Sequence, residues 1–245
     1  MKHNLPESEI SAVFRKAIRQ GVTENLSLLM FHDLDFLDAR LNHLIEIFPA
    51  GTVHAVAMKA NPLIKILDHL QKKGAGAEAA SMGELRLALH AGYSPEKIVF
   101  DSPVKTIEEL EFAIRAGVHI NIDNPGEFDR IKQIRGKIKS NSTYGIRINP
   151  QVGTGTIATS SVAGKYSKFG IPLLEKRQAL MDLFLENEWL TGVHLHIGSQ
   201  GCSPEMLVNG TSIIYNFALE VNERAARNQI RIFDLGGGFP VSYDP

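Results

Sequence analysis

Apolar, β-rich runs recur along the chain at Val53–Met58, Ala77–Ser81, Ile98–Asp101, Val118–Asp123, Tyr144–Asn149, Gly192–Ile197 and Ile232–Leu235. Each leads into a stretch with helical spacing, and the boundaries carry start and stop signals. Asn61-Pro62 sets a capping residue before a proline at the first helical position. Ser81 with Glu84, and Thr106 with Glu109, have capping-box spacing. Asn124-Pro125 with Glu127, and Ser203-Pro204 with Glu205, repeat the cap-then-proline pattern. Gly74, Gly92 and Gly117 sit where helices should stop. Strand, cap, helix and glycine, repeated along the chain, predict βα units and a parallel sheet.

Alternation within the strands separates two faces. Val118, Ile120 and Ile122 oppose His119, Asn121 and Asp123. Ile146 and Ile148 oppose Arg147 and Asn149, and Val193 and Leu195 oppose His194 and His196. The apolar faces can pack against outer helices, which turns the polar ones into the lumen of a TIM-type α/β barrel, where buried polar groups need partners. Chemistry in such barrels gathers where strands run into helices, so Arg147, His196, Asp123 and Lys59 should converge at one mouth. Two segments break the rhythm. Leu26–Asp33 reads as an extra strand, followed by a helix through about Phe48. Gln151–Ile171 is a Gly/Thr/Ser-rich insert, longer than ordinary connections and expected to be a functional loop. The expected organisation is a lead-in over residues 1–48 and a barrel over 49–245 with seven of its eight strands.

Composition narrows the class. The 245 residues, 44% hydrophobic and 22% charged, suit one α/β barrel or two smaller domains. A net charge of −1 leaves no footprint for nucleic acid or an anionic membrane. The single cysteine, Cys202, excludes an internal disulfide framework. Met1–Glu7 lacks an apolar signal core and no run of 18 apolar residues occurs, so a cytoplasmic location is expected.

Two stretches carry candidate chemistry. If the first strand runs through Lys59, that residue shares a face with Ala57, Ala55 and Val53. Dehydration there would lower its pKa and make it a nucleophile toward carbonyls; the alternative is a lysine that snorkels from a strand end. Gly236-Gly237-Gly238 closes the seventh strand, where successive N–H groups can curl around an anion without Cβ obstruction. A structural turn is the alternative. Barrels bind phosphate at the loops after their last strands, and Gly198-Ser199 could add a hydroxyl and a backbone donor. A carbonyl-binding lysine facing a phosphate cradle points to pyridoxal 5'-phosphate. His194, deeper in the lumen, reads as a hydrogen-bonded core residue and His196 at the rim as functional. The His-x-His pair lacks an adjacent third ligand, so no metal is expected. Ser81 reads equally as a helix cap or a functional hydroxyl, and Cys202 as a packed thiol.

Taken together the motifs resemble the barrel-type pyridoxal-phosphate decarboxylases of the ornithine/diaminopimelate/arginine group. Ala57-Met58-Lys59-Ala60-Asn61 resembles the cofactor-lysine motif, and Gly76–Ser81 with Gly83-Glu84-Leu85 the second-strand motif. Arg147–Pro150, Ser167–Gly170, His194–Gln200 and Asp234–Pro240 follow in family order. The resemblance implies that Lys59 holds the cofactor as an internal aldimine and then moves protons, and that His196 stacks on the pyridine ring. It further implies that Ser199, Gly236, Gly237 and Gly238 bind the phosphate while Glu78 and Arg147 lie near the ring. Decarboxylation of a basic or diamino acid, in a homodimer, is the implied activity.

Departures accompany it. The family usually has Asp where this chain has Glu78, and relatives with similar Arg147–Gly170 spacing carry histidines at Thr154 and Thr156. The family also continues into an eighth strand, whose acid pairs the pyridinium nitrogen, and a β-domain. The chain alone is therefore expected to be inactive, and a cofactor-binding, inactive paralogue or fragment is the alternative. A lysine aldolase on the same fold is a further alternative, although it needs no glycine cradle.

Overall fold

The computed structural model describes residues 6–24, 26, 28–156, 162–199 and 201–239. They divide into a small unit ending at Thr52 and a large unit beginning at Val53. The small unit holds α1 (Glu7–Arg19) and α2 (Leu34–Ile47). Sequence reading missed α1, although Glu7 and Glu9 in its first turn and Lys16 and Arg19 in its last complement the helix dipole. Asp33 starts α2 by accepting the Phe36 N–H at 2.9 Å. The strand expected over Leu26–Asp33 is not formed: residues 26 and 28–33 are irregular, and no strand of the described chain pairs with them. Ser27 lies outside the described residues. An extended segment without a ladder partner gains nothing from strand geometry.

The large unit runs β1 (Ala55–Ala57), α3 (Ile64–Lys72), β2 (Gly76–Ala79), α4 (Met82–His90), β3 (Ile98–Phe100), α5 (Ile107–Ala116), β4 (His119–Ile122), α6 (Pro125–Arg135), β5 (Tyr144–Asn149), β6 (Ile171–Pro172), α7 (Leu173–Glu186), β7 (Leu190–His194), α8 (Pro204–Ala225) and β8 (Ile232–Asp234). All pairings are parallel, in the order β1-β2-β3-β4-β5-β7-β8, and the two-residue β6 joins β5 at Ile148 and Ile171. The seven expected strands are therefore present. Ser81, Asn124 and Ser203 cap α4, α6 and α8, and Thr106 with Glu109 forms a complete capping box on α5. Asn61 does not cap α3, which starts later, at Ile64. No helix among the described residues is long and apolar enough to cross a membrane.

The sheet curls, and side-chain contacts demonstrate it. β4 and β8 are three strand steps apart, about 14 Å in a flat sheet. Yet Asn121 on β4 donates to Asp234 on β8 at 2.8 Å. Strong curvature brings the polar faces together as a barrel lumen, while Ile120, Ile146 and Val193 turn outward into a core with Ile131, Phe184 and Phe217, all fully buried. Glycine makes room inside: a Cβ on Gly145 would lie 2.8 Å from Asn121 Oδ1 and 3.2 Å from His119 Nε2. Gly145→Val should cost about 2 to 3 kcal/mol by overpacking, read as a lower denaturant midpoint; wild-type stability would mean this part of the lumen is open.

Candidate active site

The first strand stops at Ala57, and Met58–Ala60 forms a short 3-10 turn. The turn breaks the alternation that placed Lys59 on an apolar strand face. Met58 points inward, 1% exposed. The Lys59 side chain remains 64% exposed and stands 3.8 Å from Glu78 Oε2. The expected dehydration of the amine is thus corrected: Lys59 is reachable from solvent. Its carboxylate neighbour is the dehydrated partner. Burial lifts the Glu78 pKa above the usual carboxylate range, Lys59 opposes this, and Asp101 and Glu84 reinforce it.

Deeper in the lumen, Arg147 Nη1 lies 3.6 Å from Asp123 Oδ1 and 3.9 Å from Asp101 Oδ2. Its guanidinium stacks 4.8 Å from the Phe169 ring centre, and the neighbouring Gly170 N–H donates to Asp123 at 3.2 Å. His194 is enclosed between Asp101, 3.5 Å from Nε2, and Asp234, 2.9 Å from Nδ1. Burial pulls the His194 pKa down, but the two carboxylates outweigh it and the net shift is upward. Asp234 moves the opposite way: burial raises it, yet His194, the Gly236 N–H and the Asn121 amide together hold it far below the usual carboxylate range. His119, bonded to Thr143 and Asn121, is lowered by burial.

His196 accepts the Gly237 N–H on Nδ1 at 3.1 Å. Burial, with His194 and Arg147 adding repulsion, pushes its pKa down to about 4, so the ring is neutral at physiological pH. Its field also includes Asp101 and Lys59, which brings the strand ends to one mouth. The three glycines are not equivalent. Gly236 and Gly238 have φ of +65° and +82°. A Cβ on either would collide with backbone, at Leu195 O or Gly198 O. Gly237 has no positive φ, and a Cβ there would meet only His196 Cε1 at 4.0 Å. Two glycines shape the turn and the middle one leaves space. The Gly236 N–H is committed to Asp234 at 2.8 Å. Ser199 is exposed beside this loop. The described parts of the insert reach the loop after β7, where Thr156 donates to Gly201 O from its N–H and its hydroxyl and Val162 N–H bonds Ile197 O. Residues 157–161, Gln200 and Pro240 lie outside the described residues.

The family model "Pyridoxal-dependent decarboxylase, pyridoxal binding domain" matches residues 34–245. The chain belongs to this family. Its cofactor is pyridoxal phosphate. Among curated relatives, diaminopimelate decarboxylase of Methanothermobacter thermautotrophicus is 32% identical over 192 residues, which cover 77% of this chain and 43% of that protein. The solved diaminopimelate decarboxylase of Helicobacter pylori, complexed with L-lysine, has a TM-score of 0.81 at 28% identity, covering 93% of this chain and 58% of that one. A lysine/ornithine decarboxylase of Vibrio vulnificus shares the fold, with a TM-score of 0.75 at 23% identity. The chain thus spans about half the length of the relatives it matches. Its residues fit the family cofactor: an accessible amine, a neutral imidazole and an open glycine position face one mouth.

Sequence reading singled out Lys59, Glu78, Arg147, His196, Ser199 and Gly236–Gly238, but missed that Asp101 and Asp234 grip His194. Asp101 directly follows β3 and Asp234 ends β8, and their place at strand ends was the available signal. Removing His194 should cost about 1 to 3 kcal/mol by leaving the half-buried Asp101 and Asp234 carboxylates without their partner. Its raised pKa means the stabilisation is full below about pH 6.5 and fades as pH rises through the folded value. Urea melts of His194→Ala against wild type should therefore differ more at pH 6 than at pH 9; an equal gap would refute the charged role.

Proposed function

We propose that this chain is the cofactor-binding barrel of a decarboxylase acting on a basic or diamino acid of the diaminopimelate, ornithine or lysine type. The observation that carries the reading is an exposed lysine amine beside a half-buried carboxyl at the mouth that also holds the glycine loop. Lys59 Nζ is the group that holds the cofactor and later carries a proton. Glu78, whose raised pKa lets it keep a proton closer to neutrality, is the nearby carboxyl that exchanges one with Nζ. His196 offers a neutral ring face to the pyridine. Arg147, braced by Asp101 and Asp123, keeps a fixed positive charge beneath it. The Gly237 N–H can pass from His196 Nδ1 to a phosphate oxygen, and Gly238 and Ser199 complete the anion site. When bound, pyridoxal phosphate supplies the electron sink that stabilises the charge left as CO2 departs. A cytoplasmic homodimer is the expected setting, supported by the single cysteine and by the family resemblance.

Two measurements test the assignment. Pyridoxal phosphate added to the protein should give a visible imine band, and borohydride should fix the label on the Lys59 peptide. Label on a different lysine, or none, would defeat it. Gly237→Ala should raise the cofactor dissociation constant at least tenfold, about 1.4 kcal/mol, with little change in melting, because the added methyl enters open space where the anion sits. Unchanged affinity would remove the glycine loop from the site.

A further inference from the structure

Outside the mouth, one ion pair is completely enclosed. Lys105, in the loop between β3 and α5, and Glu127, in the first turn of α6, meet at 2.7 Å with both side chains 0% exposed. The same ammonium donates to Ser102 O at 2.6 Å and Asn121 O at 2.7 Å. Glu127 Oε1 also receives the Asp123 N–H at 3.4 Å, and its second oxygen, Oε2, is buried without a hydrogen-bond partner. A buried pair contributes little net stability, because dehydration offsets the attraction. A half-satisfied carboxylate makes it worse. What the arrangement does accomplish is geometric. One ammonium ties the end of β3, the end of β4 and the start of α6, next to the two acids that face Arg147 and His194.

We propose that Lys105 and Glu127 are positioning residues for the cofactor mouth, holding Asp101 and Asp123 in place against Arg147 and His194. Ser102 follows Asp101 directly, so fixing its carbonyl fixes the Asp101 backbone. Glu127 grips the Asp123 N–H and Lys105 grips Asn121 O two residues earlier, so the β4 end is held from both sides. Arg130 adds to the clamp, donating to Lys105 O at 3.3 Å. Neither Lys105 nor Glu127 touches the residues assigned to the cofactor, so the effect passes through the two aspartates. The inference rests on the proposed function above for its meaning at the cofactor.

The test exchanges the pair for apolar residues of similar length, Lys105→Met with Glu127→Met, which leaves the net charge unchanged. Apolar replacement of a buried pair is often neutral for stability, so a merely structural role predicts a cooperative melt and an unaltered mouth. Two readouts decide. The first is the His194 titration midpoint by NMR, a ring that faces Asp101, Asp234, Arg147, His119, His196 and Glu78. It should fall by about half a pH unit or more as Asp101 drifts away. The second is the pyridoxal phosphate dissociation constant, which should rise about tenfold. Wild-type values for both in the folded double variant overturn the proposal. If that variant does not fold, Lys105→Arg, which keeps the charge but cannot put one ammonium among three acceptors, is judged by the same readouts and criteria. The His194 readout needs no cofactor: a wild-type protein without a Lys59 imine would defeat the function reading, while a shifted His194 midpoint would still uphold the clamp.

Discussion

His194 sits between Asp101 and Asp234, and the polar half of the barrel depends on that contact. Seven parallel strands with charged inward faces can curl only if those charges find partners across the lumen, because an unpaired buried charge costs several kcal/mol. Three carboxylates, on Asp101, Asp123 and Asp234, meet the Arg147 guanidinium and the His194 imidazole. Burial competes with specific partners at each of these groups, and the balance differs from one to the next. Asp101 and Asp234 outweigh burial and shift His194 upward, partners outweigh burial and hold Asp234 low, while Asp123 is lifted by burial that Arg147 only partly offsets.

Asp234 also joins the lumen to the glycine loop. One carboxylate oxygen accepts from Asn121 across the sheet and the other from the Gly236 N–H two residues on. The loop therefore takes its orientation from the charge network beneath it, and Gly236 and Gly238 are glycines because the resulting turn passes against the backbone of the β7 end. A loop anchored this way at a strand end is held precisely, because its anchor is tied to both the sheet and the turn.

Much of this was legible in the sequence where one periodicity governed. Alternation separated Val118, Ile120 and Ile122 from His119, Asn121 and Asp123 correctly, since every one of these is buried and only pairing distinguishes the faces. Legibility failed where geometry changed within a residue or two. The 3-10 turn at Met58 rotated Lys59 off its strand face, and Asn61 yielded the helix start to Ile64 for the same reason. Leu26–Asp33 failed differently, since β propensity says nothing about whether a ladder partner exists. The Lys105–Glu127 pair escaped because its members lie 22 residues apart, and Glu127 also fits the pattern of an ordinary helix-start acid.

The position of Lys59 alters the physical account of its reactivity. A dehydrated lysine gains nucleophilicity by losing its proton early, but must then stay enclosed. An exposed lysine keeps its hydration, so under the role proposed for Lys59 its selectivity for one carbonyl ligand has to come from the groups around it. Those groups differ in kind: a half-buried carboxyl with a raised pKa lies 3.8 Å from the amine, and the His196 imidazole is neutral. Glu78 lies 3.8 Å from Nζ, so the turn that carries Lys59 out to solvent still leaves its amine beside a carboxyl.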